Sequence, residues 1–527
     1  MPQSLCLRSR RGRQLACRLR FGLGLLALHG APAGAHAQST VFQQALLVDE
    51  GFRVFTEETF EGNGRKCSTC HLPEANYSIS PTEIAELNEQ DRALVFAENV
   101  PGLEEPNLVS ELALFNTKGG VSADGQVAKS EFRSSMTLAA LDLTVRNSNS
   151  LFAGPFGPQL GWAGDGSPRD GKNHGNADAN ADGSIRAFTN GAIAQHNTKS
   201  LARVKGADFR FATDAELDAL EAFQRWLGRR TTPSGRKEFA LADLTFADDR
   251  IEQGKQVYRS PQATCNDCHA NGGASFASGN NINLNTGVES ELERLREETG
   301  VHIPEDEGGV NTPPAPTVPV AHGAFNIQPV IEAPRKRAFF HNSAVVSDVE
   351  EAASFYFTKS FLDSPTNVVV ATADSPGHCD SVECLDEITP QALEKLGAFI
   401  RSLSAFYSLR DCERLVVESM DRFAAGAPVA LPLQHCAFAL RDVRYVLQGA
   451  HLTPKPFAAI GESAAKLART VEAQARTQAS CDVSTLSGLL SSVREMRDAI
   501  ATTPELTQSI AADRQAQELR TPPGHGT

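Results

Sequence analysis

Cys67-Ser68-Thr69-Cys70-His71 and Cys265-Asn266-Asp267-Cys268-His269 are two copies of one pattern, Cys-x-x-Cys-His. On a helix the two cysteines, at i and i+3, face the same way, and the histidine follows at once. Both thiols can then reach the vinyl groups on one side of a porphyrin while the imidazole reaches its iron from that side. The pattern therefore reads as c-type haem attachment, with the histidine as proximal ligand. The competing readings are a thioredoxin-like redox pair and half of a zinc site. The first lacks a strand-flanked context, and no adjoining pair completes the second. Two covalently bound haem c groups are expected, held by Cys67, Cys70 and His71 and by Cys265, Cys268 and His269.

Outward from these motifs, the chain has 527 residues, enough for two or three domains, with 41% hydrophobic and 22% charged residues, as in soluble globular proteins. Residues 1–37 read as a secretory signal peptide. Arg8, Arg10, Arg11, Arg13, Arg18 and Arg20 precede a short apolar run, Phe21 to Leu28, and Ala35-His36-Ala37 fits a cleavage site. The run is too short to anchor in a bilayer, and Cys17 precedes it, unlike a lipoprotein cysteine. Arg10-Arg11 hints at a twin-arginine signal in a poor context. A periplasmic or secreted protein with no membrane span is expected.

Losing the leader would remove six positive charges from a chain whose formal net charge is already −14. That disfavours nucleic acid and favours a small basic electron-donor protein as partner. Apart from the leader and the haem motifs, the cysteines are Cys379, Cys384, Cys412, Cys436 and Cys481. In an oxidising compartment Cys379 and Cys384 would close a small loop, and two of the other three would pair.

The expected architecture is mainly α: two cytochrome c-like haem domains with long loops, at 38–235 and 236–410, then a helical extension at 411–507 and a disordered tail at 508–527. Apolar periodicity predicts helices over 40–60, 84–98, 213–229 and 390–409, the third opened by an N-cap at Thr213. Four more apolar-periodic stretches fill 411–505. Residues 231–245 read as the connector. Gly- and Asn-rich stretches, Gly161 to Gly183 and Asn271 to Gly287, read as loops and not strands. Neither a strand signal nor a repeat beyond the haem motifs is evident.

What stands across each iron from its histidine decides the chemistry: a six-coordinate haem transfers electrons, an open one binds peroxide or dioxygen. The mature methionines are Met136, Met420 and Met496; the candidate histidines are His174, His196, His302, His322, His341, His378, His435 and His451.

Several segments around the two motifs resemble the bacterial di-haem cytochrome c peroxidase superfamily. They are Phe60-Glu61-Gly62-Asn63-Gly64-Arg65-Lys66, Arg133-Ser134-Ser135-Met136-Thr137-Leu138 (without the family's usual proline), Gly161-Trp162-Ala163-Gly164-Asp165-Gly166 (with an insertion), Gly191 to His196, Asn283 to Gly287 and Phe339-Phe340-His341-Asn342-Ser343. The likeness covers roughly residues 45–410, and the extension lies outside it. It implies a peroxide site at the His71 haem, with His196 and Gln195 near its far side and His196 as general base. It implies an electron-supplying haem at His269. Where the family usually has a methionine ligand for that haem this chain has Tyr356, as in the di-haem enzyme that matures methylamine dehydrogenase; His341 is the rival ligand. Trp162 stands where it could relay electrons or simply pack.

Asp178-x-Asn180-x-Asp182-Gly183 matches the first half of a calcium loop, but Thr189 stands where the bidentate glutamate belongs. Calcium at Asp178, Asn180 and Asp182 and a plain polar turn are both open. The leading expectation is a di-haem oxidoreductase reducing hydrogen peroxide. A haem oxygenase or protein-modifying oxidase, and a non-enzymatic electron-transfer cytochrome, are the alternatives.

Overall fold

A computed structural model of the chain describes residues 33–121, 127–139, 141, 161–162, 185–228, 239–274, 283–306, 323–367, 389–448, 455–477 and 482–504. It is mainly helical. Helix α1 (Ala33–Glu57) precedes the first haem motif. An antiparallel hairpin follows, β1 (Leu114–Val121) and β2 (Val127–Ser134), then α2 (Ile185–His196) and α3 (Asp214–Leu227). Helix α4 (Asp249–Arg259) precedes the second motif, and α5 (Val349–Ser354) and α6 (Pro390–Ala424) follow it. The chain closes with α7 (Ala430–Leu447), α8 (Lys455–Thr477) and α9 (Val483–Ile500).

Each motif sits beside a crossing of two helices built the same way. Gly51 of α1 lies so close to α3 that a Cβ there would stand 2.0 Å from the carbonyl oxygen of Ala219 and 2.6 Å from Cβ of Phe223. Gly254 of α4 meets α6 identically, at 2.0 Å from the Lys395 oxygen and 2.8 Å from Cβ of Phe399. Matching the contacting residues, Gly51 with Gly254 and Phe223 with Phe399, aligns Gly51-Phe52-Arg53-Val54-Phe55 with Gly254-Lys255-Gln256-Val257-Tyr258. It also aligns Leu220-Glu221-Ala222-Phe223-Gln224-Arg225-Trp226-Leu227 with Leu396-Gly397-Ala398-Phe399-Ile400-Arg401-Ser402-Leu403. The chain therefore does carry a repeat, Gly-x-x-Val-aromatic and Leu-x-Ala-Phe-x-Arg-x-Leu. It escapes a linear reading because the segments between its parts differ in length.

Local chemistry sets the helix ends. Thr213 accepts from the Glu216 amide while the Glu216 carboxylate accepts from the Thr213 amide, a capping box. Thr389 caps α6, with Pro390 in the first turn. The helix expected over 84–98 is two, Pro81–Glu86 and Glu89–Val95. Asn88 accepts from the Asp91 amide and so starts a new helix in mid-run.

The β1–β2 hairpin was not expected. Its register runs from Leu114 opposite Ser134 to Val121 opposite Val127, with shifts between Asn116, Lys118 and Gly120. Each shift swaps which face the next side chain takes, so the apolar alternation that marks a strand is scrambled. A shorter surprise lies in the Gly/Asn-rich stretch, where Asn283–Leu284 pairs with Phe325–Asn326. The 410 boundary falls inside α6, which runs unbroken to Ala424.

The extension packs as part of the same core: one buried cluster joins Phe223 of α3, Phe399 of α6 and Leu440 of α7. Cys412 and Cys436 are disulfide-bonded, tying α6 to α7. Thr245–Phe246 pairs with Ala501–Thr502 beyond α9. Residues 1–32, Cys379, Cys384, Cys481 and the 508–527 tail lie outside the described residues. No helix among the described residues is long and apolar enough to cross a membrane.

Candidate haem sites and the wall between them

Cys67–Thr69 forms a single tight turn, and the His71 amide donates to the Cys67 carbonyl at 3.1 Å. The thiols of Cys67 and Cys70 are not paired. Nδ1 of His71 lies 2.8 Å from the Tyr77 carbonyl oxygen. A carbonyl only accepts, so Nδ1 carries the proton and Nε2 is left bare, the arrangement of a metal-ligating imidazole. Burial pushes the pKa of His71 down, which favours the neutral ring. The motif opens into a cavity of about 1340 Å³ lined by Cys67, Cys70, His71, Met136, Trp162 and His196.

Helix α2 brings His196 and Gln195 to this cavity. Its C-terminal end is pinned to the segment before Cys67. Asn63 Nδ2 donates to the His196 carbonyl at 2.9 Å, its amide donates to the Asn197 carbonyl at 2.8 Å, and Asn197 Nδ2 donates to the Arg65 carbonyl at 2.6 Å. Arg65, fully buried, donates to the Leu94 and Val95 carbonyls and to Glu104. Burial first, then the Arg65 and Arg203 guanidinium groups, push His196 down to about 3. Its imidazole is therefore neutral.

The second motif forms one helical turn, Cys265–Cys268, again with unpaired thiols. Its cavity of about 1220 Å³ is lined by Cys265, Cys268, His269, Trp162, His341 and Tyr356, among others. Burial pushes His269 down to about 4. Its Nδ1 is buried without a hydrogen bond, although the Gln328 and Gly273 backbone lies close by. Tyr356 stands on the turn after α5, its ring edge-on to Phe355 and Phe361 at 5.4 and 5.1 Å. Burial, then the neighbouring Cys268 and Cys265, raise its pKa. Its hydroxyl has no protein hydrogen-bond partner among the described residues. His341 is otherwise engaged: Nε2 pairs with Glu289, and the ring stacks on Phe325 at 3.3 Å.

Trp162 lines both cavities. Its Nε1 donates to the Ser134 carbonyl at 2.7 Å, its own carbonyl accepts from Asn326 at 2.6 Å, and Lys336 Nζ stands 5.3 Å from the ring centre. Lys336, half-buried, is pushed down to about 8 by desolvation. The sequence offers no warning of it, since Arg335-Lys336-Arg337 reads as a solvated basic run. Glu104, in Glu104-Glu105-Pro106, is hidden in the same way.

The residues fit haem c at both places. Each cavity offers two free thiols and a half-buried neutral imidazole at the spacing thioether attachment needs, with mostly apolar walls. Among the described residues no three His, Cys, Asp or Glu side chains gather as a metal-ion site. Of the other candidates, Met136 has its backbone beside the His71 ring, next to the Ser135 hydroxyl at 3.3 Å from Nδ1, while Met420 and Met496 pack against the core. His302 is exposed and His435 is buried behind Tyr77. Asp178, Asn180, Asp182, His174, His322, His378 and His451 lie outside the described residues.

No protein-family model matches the chain, and no curated protein does. Two solved structures are similar to it. One is a MauG-like protein associated with microbial copper homeostasis, 15% identical with a TM-score of 0.31, the likeness covering 67% of this chain and 87% of that one. The other is the diheme peroxidase BthA from Burkholderia thailandensis E264, 16% identical with a TM-score of 0.36, covering 68% and 86%. Likeness at that level carries no residue role over to this chain.

Proposed function

We propose that the protein is an exported, periplasmic or secreted di-haem c-type oxidoreductase that reduces hydrogen peroxide with electrons from a small donor protein. The observation that carries this reading is Trp162. It walls two separate cavities at once, each built on its own Cys-x-x-Cys-His motif. A covalently held haem would supply each cavity with a redox-active iron. Cys67, Cys70 and His71 would hold one, and Cys265, Cys268 and His269 the other.

Reducing hydrogen peroxide to two waters takes two electrons and two protons. The first cavity offers a neutral imidazole, His196, that can take a proton from one peroxide oxygen and return it to the other. Gln195 beside it can hold the substrate through its amide. The pinning of the α2 end by Asn63 and Asn197 holds the backbone that carries both side chains. Met136, Met420 and Met496 offer no methionine to the second cavity, whose wall instead carries Tyr356. A tyrosine ligand there would lower that iron's potential. That favours, as the second reading, an oxidase acting on another substrate or protein.

Electronic and EPR spectra of the holoprotein test the main reading. One iron with an exchangeable position, together with peroxide turnover by a reduced small cytochrome, supports it. Two irons that stay six-coordinate in every redox state would leave only electron transfer. Peroxide consumption coupled to oxidation of another substrate or protein, and not of the small cytochrome, would favour the second reading.

A further inference from the structure

We infer that the C-terminal helical extension is part of the first haem site, with His435 of α7 acting as a positioning residue for His71 through Tyr77. The inference rests on the reading of His71 as a haem ligand and deepens it.

The carbonyl that holds Nδ1 of His71 belongs to a strained turn. Asn76 and Tyr77 are consecutive non-glycine residues in the left-handed region, at φ 54° and 57°. Asparagine tolerates this region, but for Tyr77 it is disfavoured and persists only where the surroundings impose it. Three other parts of the fold do so. Thr137 Oγ1 donates to the Asn76 carbonyl at 2.7 Å. The Asn76 side-chain amide donates to Glu332, on the segment that walls the second cavity. The Tyr77 hydroxyl bonds to Nε2 of His435.

The direction of that last bond is fixed. Nδ1 of His435 donates to the Leu431 carbonyl at 2.9 Å, one turn back on α7, so Nε2 is the acceptor and Tyr77 the donor. The Tyr77 and His435 rings lie nearly parallel, 9° apart, with centroids at 5.8 Å. Trp226 of α3 meets His435 edge-on at 4.8 Å and Phe52 of α1 meets it at 5.5 Å, so the ring cannot swing away. Tyr77 thus presents its carbonyl to His71 and its hydroxyl to the extension. The same helix meets the second unit: Tyr445 lies under Arg335, 3.9 Å from its guanidinium carbon. Helix α7 is therefore a brace across both haem units, and its buried histidine fixes the carbonyl that orients the first proximal ligand.

The test uses the full holoprotein with His435→Phe, His435→Gln and Tyr77→Phe. Arg441→Ala, on the outer face of α7 where Arg441 pairs with Glu472, is the control. The readouts are covalent haem content by mass, the iron–histidine stretch by resonance Raman, and the two reduction midpoints. His435→Phe and Tyr77→Phe are expected to shift the stretch and midpoint of the His71 haem alone. His435→Gln, which can still accept from Tyr77, should restore most of the shift, and Arg441→Ala should change nothing. If His435→Phe does not fold, Tyr77→Phe, which removes a single oxygen, decides. Unchanged signatures with both haems attached would overturn the inference, as would equal shifts at both haems. Absence of covalent haem at Cys67 and Cys70 would overturn the haem reading itself, and this inference with it.

Discussion

Arg65 and Glu104 form an ion pair out of reach of water, Nη1 to Oε1 at 2.7 Å, with side chains 2% and 0% exposed. The other guanidinium nitrogens are spent on the Leu94 and Val95 carbonyls, and the second Glu104 oxygen accepts from the Asn116 amide at 2.8 Å. One pair thus joins the segment before Cys67 to the hairpin. Removing one partner strands the other charge, which costs about 3–5 kcal/mol. Glu104→Ala is expected to lower the denaturant midpoint accordingly and to loosen the Asn197–Arg65 contact behind His196. A loss under about 1 kcal/mol, a typical surface-pair value, would show that the pair is not load-carrying.

The Cys412–Cys436 bridge closes a loop of sequence separation 24 between α6 and α7. Chain entropy assigns such a loop about 3 kcal/mol of stabilisation. The Cys412→Ser, Cys436→Ser double variant should lose roughly that amount in equilibrium unfolding. Because α7 carries His435, the loss should appear first as faster hydrogen exchange in α7. Exchange rising first in the β1–β2 hairpin would contradict the coupling.

His435 gives stability a pH dependence. Burial holds its folded pKa at about 4, below the usual 6.5 of a histidine. Between those values the unfolded chain binds the proton that the folded chain refuses. Stability from this group is therefore whole above pH 6.5 and is lost as pH falls toward 4, by up to about 3 kcal/mol at 1.36 per unit. His435→Gln is expected to show a shallower fall in unfolding midpoint between pH 7 and 4.5 than the parent chain. Parallel curves would mean that His435 is not neutral in the folded state.

The sequence displayed the haem motifs fully, because Cys-x-x-Cys-His packs its chemistry into five adjacent residues. The Thr213 cap and the helices around 40–60 and 213–227 were equally visible, since each depends on residues within one or two turns. Tyr356 and His341 could be named but not separated. What separates them is Glu289, whose engagement of His341 spans |i−j| of 52 residues. The hairpin was lost to bulges that reverse side-chain parity. Glu104 and His435 carry no local mark of burial, and Lys336 none of its partial burial; each is covered by segments distant in sequence.

Tyr356→Phe separates the readings of the second cavity. The hydroxyl lies in the cavity of His269 and has no protein hydrogen-bond partner among the described residues, so its loss should leave folding almost untouched. If it ligates iron, the spectrum of one haem changes and that of the other does not. An unchanged spectrum would leave Tyr356 as a packing ring against Phe355 and Phe361.

The paired helix crossings predict paired consequences. Gly51→Ala would place a methyl 2.0 Å from the Ala219 carbonyl oxygen, and Gly254→Ala one at 2.0 Å from that of Lys395. These are backbone atoms on the facing helix, so neither can rotate away; the helices must part. Overpacking of this kind costs about 1–3 kcal/mol, and backbone displacement takes it to the upper end. Both variants should unfold at lower denaturant, and haem content by mass should fall at Cys67 and Cys70 for Gly51→Ala and at Cys265 and Cys268 for Gly254→Ala. If either alanine were accommodated at no cost, the two crossings would not be equivalent, and the repeat that aligns Phe223 with Phe399 would lose its structural basis.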